Sequence, residues 1–161
     1  MKETDRKIEK TNEKLEEALG AMGDLGNRLG EFVEHAVEPA VVGLFRDQDI
    51  KVHEVHRDIY GERHGRSTQV DLLVVNDDVC VVVEVKSKLD VEDVDGHLER
   101  LDNFKTIFPL YSARKIMGAV AARVIPEDVA SYAYRQGLYV LGPTGEDVGV
   151  LNDESFEPRI W

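Results

Sequence analysis

The sequence has one cysteine, no long apolar run and no surplus of positive charge, and each shortage excludes something. A lone Cys80 cannot form an intrachain disulfide; set in an apolar stretch, it reads as a buried thiol. Apolar runs are short, as in Val81-Val82-Val83, and none approaches the roughly 18 residues of a membrane span. The opening residues Met1-Lys2-Glu3-Thr4-Asp5 are charged and carry no apolar signal core, so the expectation is a cytoplasmic protein with no membrane partner. Lys and Arg number 20 against 32 Asp and Glu, a formal net charge of -12. That balance argues against nonspecific coating of DNA, which needs phosphate neutralisation by cations, but leaves room for a local basic groove. The sequence has no Cys/His cluster of the kind a metal-binding regulator uses. Gly142-Pro143-Thr144-Gly145 lacks a following Lys-Ser/Thr and is a turn, not a phosphate loop. No internal repeat of 20–50 residues is visible.

What is present divides into two parts. Residues 1–27 read as a charged helix with a narrow apolar stripe. Ile8, Leu15, Leu19, Met22, Leu25 and Leu29 fall at steps of seven, four and three. Such a seam needs a partner: either a second copy, giving a dimerising coiled coil, or the protein's own domain. Gly20, Gly23, Gly26 and Gly30 predict a break or bend near 23–30. A second helix over about 28–46 has a wide apolar face, and Pro39 is expected to kink it. Then follow strands at Ile50–Tyr60, Thr68–Val75 and Val79–Ser87, with turns at Gly61–Gly65 and Asn76-Asp77-Asp78. Asp90 caps a helix of about 91–108, whose stripe is Val94, Leu98, Leu101, Phe104 and Phe108. Lys115–Val124 is a strand, Pro126 opens a helix that Gly137 stops, and Leu138–Leu141 is a short core strand. Val148–Leu151 completes the list as a small edge strand. This order predicts an α/β fold: an antiparallel meander extended by a helical crossover into a mixed sheet, with helices on both faces.

The chemistry concentrates in one hairpin. Val70–Val75 and Val79–Val85 are almost continuously apolar, so both faces should be covered. Charges inside such strands are costly unless paired or bound to a metal. A two-residue loop at Asp77-Asp78 pairs residue 76 with 79, and therefore 71 with 84. Asp71 and Glu84 then face each other with Cβ atoms about 4.5–5.5 Å apart, and Lys86 points to the same side. A three-residue loop would put Asp71 on the wrong face. Two close carboxylates repel unless a cation lies between them, and hard oxygen ligands suit Mg²⁺ or Mn²⁺. A structural salt bridge is the alternative reading of the same three residues.

Asp71 followed thirteen positions later by Glu84-Val85-Lys86 on the next strand resembles the PD-(D/E)XK nuclease superfamily, which includes restriction endonucleases and archaeal Holliday junction resolvases. Gly30-Glu31-Phe32-Val33-Glu34, Val70–Val75 and Val83–Ser87 are similar to an uncharacterised prokaryotic branch with an N-terminal coiled coil. The resemblance covers residues 28–142. Gln69-Val70 stands where the motif's proline would precede Asp71. The resemblance implies a restriction endonuclease-like fold over 28–161, with the N-terminal helix as a homodimerising extension. It implies a Mg²⁺- or Mn²⁺-dependent nuclease with DNA as substrate. Asp71 and Glu84 would bind the metal with the Val85 carbonyl, and Lys86 would position or activate water. An extra acid on the first core helix would be Glu34, with Glu38 second. The superfamily also holds inactive members, which implies the alternative of a dimeric scaffold that keeps the fold without activity.

Other residues offer weaker signals. His53 and His56 are three apart on a strand and point to opposite faces, so they make poor joint ligands. Arg57, Arg63, His64 and Arg66 flank the loop before the Asp71 strand and form either a phosphate-binding rim or a solvated turn. Ser87 and Lys88 either contact phosphate or end a strand in solvent. Arg100, Lys105, Arg114 and Lys115 are further rim candidates, and Tyr132 and Tyr134 read as helix packing rather than base stacking.

Overall fold

The computed structural model describes residues 29–47, 51–145 and 147–161, without the side chain of Glu34. The expected N-terminal coiled coil and the glycine-rich break lie outside these residues, except for their last few positions. The chain divides into two compact units, Met1–Phe32 and Val33–Trp161. Of the first, only residues 29–32 are described, and they are helical.

The second unit opens with a π-helical turn, Val33–Val37, that passes into α1, Glu38–Asp47. Pro39 accounts for the wide turn. Its nitrogen has no hydrogen to give the carbonyl of His35, four residues back, and its ring would collide with that carbonyl. The disturbance that the sequence reading expected at this proline takes the form of looser winding just before it.

Six strands follow, and they lie in the sheet in chain order: β1 Glu54–Arg63, β2 Arg66–Val75, β3 Val79–Lys88, β4 Lys115–Val124, β5 Tyr139–Thr144 and β6 Asp147–Val150. β1, β2 and β3 form the antiparallel meander. α2, Val91–Ile107, carries the chain to β4, and α3, Glu127–Arg135, carries it to β5; β3, β4 and β5 are mutually parallel. β6 turns back antiparallel at the far edge. This is the mixed sheet flanked by helices that the order of elements implied.

Some boundaries moved. β1 begins at Glu54 rather than Ile50, and it continues through Gly61, Glu62 and Arg63, so the turn shrinks to His64-Gly65. Both turn residues take positive φ, 55° and 73°, the conformation a tight two-residue hairpin loop demands. Gly61 belongs to the strand, paired with Thr68, and Ile107 and Phe108 side chains lie 2.7 Å from where its Cβ would stand. The close approach of α2's end, not a turn, is what excludes a side chain there.

Two faces of the sheet are buried, as the apolar strands predicted. Leu73, Val75, Cys80 and Val82 belong to a core that takes in Val94, Leu101 and Phe104 of α2 and Val129 and Ala133 of α3. Both parallel crossovers therefore lie on one face. On the other, Leu44 and Phe45 of α1 sit by Val81 and Met117. α2 starts with a capping box: the Asp93 amide donates to Asp90 Oδ1 at 2.8 Å and the Asp90 amide to Asp93 Oδ2 at 3.1 Å.

Gly118 of β4 sets how closely α2 and the chain entering β5 approach the sheet. A Cβ at this position would collide with Leu101 and stand 2.6 Å from Leu138 Cδ2. Gly118→Ala is expected to lower the unfolding free energy by about 1–3 kcal/mol through overpacking, measured by urea denaturation. An unchanged midpoint would mean that α2 is free to shift.

Candidate functional site

The register that brings the site together is the one that the two-residue loop dictates. The Asn76 amide donates to the Val79 carbonyl at 2.8 Å, and Val75–Cys80, Val74–Val81, Leu73–Val82 and Leu72–Val83 follow as pairs. Continued by one step, the register sets Asp71 opposite Glu84. The ladder stops at Leu72–Val83, however, and the Asp71 side chain takes over from backbone: its Oδ2 accepts the Val85 N–H at 2.9 Å. On its other side the β1–β2 ladder skips the position where Asp58 would face Asp71, because Asp58 has a φ of 51°. Asp71 thus lies at a local parting of the strands on both sides.

Glu84 is the acidic residue buried in the middle of this arrangement, at 7% exposure. Its Oε2 accepts from Arg100 Nη1 of α2, and its Oε1 lies 3.6 Å from Lys86 Nζ. Lys86 Nζ is also 3.7 Å from Asp93 Oδ1, so the capping box of α2 borders the site. Arg100 is fixed from three sides. Besides Glu84, its Nε donates to Thr68 Oγ1 at 3.1 Å and its Nη1 to His97 Nδ1 at 2.9 Å. His97 is fully buried, and its Nε2 is 3.0 Å from the Val82 carbonyl. Burial first, and then the adjacent guanidinium, hold its pKa down at about 3, so the ring is neutral. A neutral ring that donates from Nε2 to a carbonyl presents Nδ1 as an acceptor, which is what Arg100 requires.

Burial is the largest influence on both carboxyls, and it pushes both upward. For Asp71, the Val85 N–H and Arg100 pull the other way, while Asp58 adds to the rise. For Glu84, Arg100 pulls down and the charge of Asp71 pushes up. Two acids held close in a partly dry place are short of positive charge even with Arg100 and Lys86 beside them.

Asp71, Glu84 and Lys86 are therefore brought together as the sequence arithmetic expected, and Val85 is adjacent through its backbone. The backbone of Glu34 lies in the π-helical turn, and its side chain is outside the described residues. Glu38 is bonded to Arg57. Ser87 and Lys88 are exposed at the end of β3. His53 and His56 pair separately with Asp77 and Glu54. Tyr132 and Tyr134 bond Asp95 and Asp153, as helix packing predicts. Arg114 and Lys115 correct the rim reading. Lys115 pairs with Val79, and Arg114 Nε donates to the Asn76 carbonyl at 2.9 Å. Both are at the turn end of β3, five residues or about 17 Å from Glu84 along the strand. Arg66 donates to Asn103 and, with Ser67, Thr68, Gly96 and Arg100, lines an open polar cleft of about 500 Å³.

The sequence reading treated Arg100 as a minor rim candidate and missed His97. A signal was there: Val94, His97, Leu101 and Phe104 lie at steps of three, four and three and are all buried, so a polar residue sits on the apolar stripe. Reading Leu98 into that stripe hid it. Among the described residues no group of three His, Cys, Asp or Glu side chains stands close enough to hold a metal ion together.

No family model matches the sequence, and no curated protein does. Among solved structures, the chain is similar to that of a repair endonuclease from Pyrococcus abyssi, with 22% identity and a TM-score of 0.42 over 64% of this chain and 45% of that one. A protein of unknown function is similar at 13% identity and a TM-score of 0.47, over 68% and 58%. An EndoMS-dsDNA2 complex is similar at 17% identity and a TM-score of 0.35, over 68% and 46%. The chain spans between 45% and 58% of the length of these three.

The raised carboxyls carry a testable cost. A carboxyl whose pKa is higher folded than unfolded gives stability that is complete below its unfolded pKa and lost as pH rises through the folded value. Asp71→Asn removes that loss while keeping an oxygen to accept from Val85. It is expected to melt above the parent protein at pH 7, with the difference shrinking toward zero as pH falls to about 4. A variant that melts lower at pH 7 would show that the Asp71 charge is stabilising.

Proposed function

We propose that the protein is a divalent-metal-dependent nuclease that hydrolyses phosphodiester bonds of DNA at the Asp71, Glu84 and Lys86 site. The observation that supports it most is the convergence of two partly buried carboxylates and an ammonium at the parting of β2 and β3. The donor set suits a hard cation. Both acids are pushed upward by burial, which a positive ion would relieve. Mg²⁺ in particular binds through one or two carboxylates and completes its shell with water and substrate oxygens, so the lack of a third side chain is no obstacle. Asp71 and Glu84 would hold the ion, with the Val85 carbonyl and, from the first helical turn, Glu34 contributing directly or through water. Bound there, it would polarise the phosphate and acidify a water molecule.

The chain's own groups then have separable tasks. Lys86, half exposed, reaches out from Glu84 with three N–H donors, which suit it to orient the attacking water or to meet charge gathering on a phosphate oxygen. Asp93 draws the ammonium toward α2 and limits its wandering. Asp71 is tied by one oxygen to Val85, leaving the other for the ion. Arg100 and His97 hold the Glu84 carboxylate at one angle. Arg66, Ser67 and the strand-end Ser87 and Lys88 would receive backbone phosphates.

The test is incubation of the purified protein with linear, circular and branched DNA in Mg²⁺, Mn²⁺ or EDTA. Cleavage in metal that falls at least about 100-fold in both Lys86→Ala and Asp71→Ala is expected, since each removes a group acting in the transition state. Cleavage that persists in both variants overturns the assignment. No cleavage and no metal binding by the parent protein would favour the inactive scaffold instead.

The same reading includes a homodimer formed through residues 1–27, whose apolar stripe needs a partner. Light scattering is expected to give a dimer for the whole chain and a monomer for a chain beginning at Arg28. An unchanged mass would remove the helix from the assembly.

A further inference from the structure

We propose that the cleft between the start of β2 and the side of α2 that carries Gly96, Arg100 and Asn103 seats a backbone phosphate of the nucleic-acid strand, held between Arg66 and the spare Nη2 of the Arg100 guanidinium. The inference rests on the nuclease reading for the identity of its ligand, and adds to it where the strand lies.

Arg100 has five N–H donors in a planar fork. The Nε–H goes to Thr68, and Nη1 serves Glu84 and His97. Among the described residues Nη2 makes no hydrogen bond. Nε and Nη1 are therefore committed inward, Nη2 with its two N–H groups is left over, and Arg100 lines the cleft. The guanidinium cannot turn away to find water, because a fully buried histidine and a buried carboxylate hold it. Such a donor is already oriented before the ligand arrives, which saves the cost of ordering a long side chain on binding. The two N–H groups of Nη2 can donate charge-assisted hydrogen bonds to phosphate oxygen.

The opposite wall supplies the second cation. Arg66 opens β2 and reaches across the cleft to Asn103, with the hydroxyls of Ser67 and Thr68 beside it. Glu99 is the acidic member of the lining, so two arginines face one glutamate. At about 500 Å³, the cleft has room for a phosphate with its flanking sugars, and Arg100 itself bonds Glu84, so a phosphate there adjoins the reacting site.

Gly96 makes the idea testable without disturbing either arginine. It lies within α2, lines the cleft, and a Cβ added to it would meet nothing within 4 Å. Gly96→Ala should fold as well as the parent, since alanine favours a helix over glycine. Gly96→Glu should fold too, and would push a carboxylate into the cleft.

Binding of fluorescent single-stranded and duplex oligonucleotides is measured by anisotropy, in EDTA and, with Lys86→Ala as background, in Mg²⁺. Circular dichroism checks that each variant is folded. The expected result is binding unchanged within about 2-fold by Gly96→Ala and weakened at least about 10-fold by Gly96→Glu and by Arg66→Gln. Arg66→Gln should also reduce the slope of log affinity against log salt by about one, the signature of one lost phosphate contact. Gly96→Glu that binds as the parent does overturns the proposal, and so does a parent that binds in neither condition. Hydrolysis that survives Gly96→Glu would refute the cleft while leaving the nuclease reading intact. Binding lost in Gly96→Glu by a protein that cleaves nothing would support the cleft and refute the nuclease.

Discussion

The ion pair of Glu84 with Arg100 is the interaction on which the rest of the site depends. β3 is buried on both faces from Val79 to Val85, so a carboxylate on it must find its compensation inside the protein. Removing one partner of a buried pair typically costs about 3–5 kcal/mol, because the other charge is left without solvent or counterion. The protein meets that demand from α2, and doing so fixes much else. Arg100 reaches Glu84 only if the helix lies close to the sheet, which the bare Cα of Gly118 allows. His97 holds the guanidinium by being neutral. A charged imidazole there would repel it and lose the acceptor at Nδ1. Burial thus makes the histidine usable as a hydrogen-bond acceptor.

The same strand also explains why the site is open. Along the face covered by α2, β3 presents Val82, Glu84 and Lys86 in turn. The first is fully buried, Glu84 is 7% exposed, and the Lys86 side chain is 42% exposed. Within two steps of the pleat the strand passes from core to solvent. A group at the middle position has its charge destabilised by burial yet lies next to open space, the environment in which shifted carboxyls and reactive sites coincide. The parting of β2 and β3 below Leu72–Val83 widens this rim. Asp71 fills the gap with its own carboxylate, bonding Val85 where a backbone carbonyl would otherwise serve.

How much of this could be read from residues alone follows from which interactions are local. The hairpin register was legible because Asp77-Asp78 is a two-residue loop and the pleat has a period of two; from those facts alone Asp71, Glu84 and Lys86 share a face. The meander, the crossover and the capping box at Asp90 were legible for the same reason, being short-range. The end of the β2–β3 ladder at Leu72 was not, nor was the gap opposite it in the β1–β2 ladder, where Asp58 takes a positive φ. Nor was the close approach of Ile107 and Phe108 to Gly61, which joins residues more than forty positions apart and gives the glycine a reason other than a turn. Arg100 was underrated because its value comes from His97, whose place on the buried stripe is evident only once Leu98 is seen to lie beside it.

The acidic balance of the chain gains a sense in this setting. At physiological salt, fields from surface charges fade over about 8 Å, so a strand of nucleic acid approaching most of this protein meets nearby carboxylates and is turned away. In the proposed cleft it meets two arginines and one glutamate, and although Arg100 is already paired with Glu84, and Lys86 with Glu84 and Asp93, their N–H donors are held in place there. A net charge of -12 is then compatible with a phosphodiester substrate, because selectivity arises from the contrast between the surface and one small region. An enzyme covered in lysine would hold DNA everywhere and present few phosphates to its reacting groups. Here the energetic advantage is confined to a place where one guanidinium is shared between Glu84 and the strand, so that engaging a phosphate bears directly on the carboxylate proposed to hold the metal. That coupling gives a physical reason for tying Arg100 down with a buried histidine rather than leaving it free at the surface.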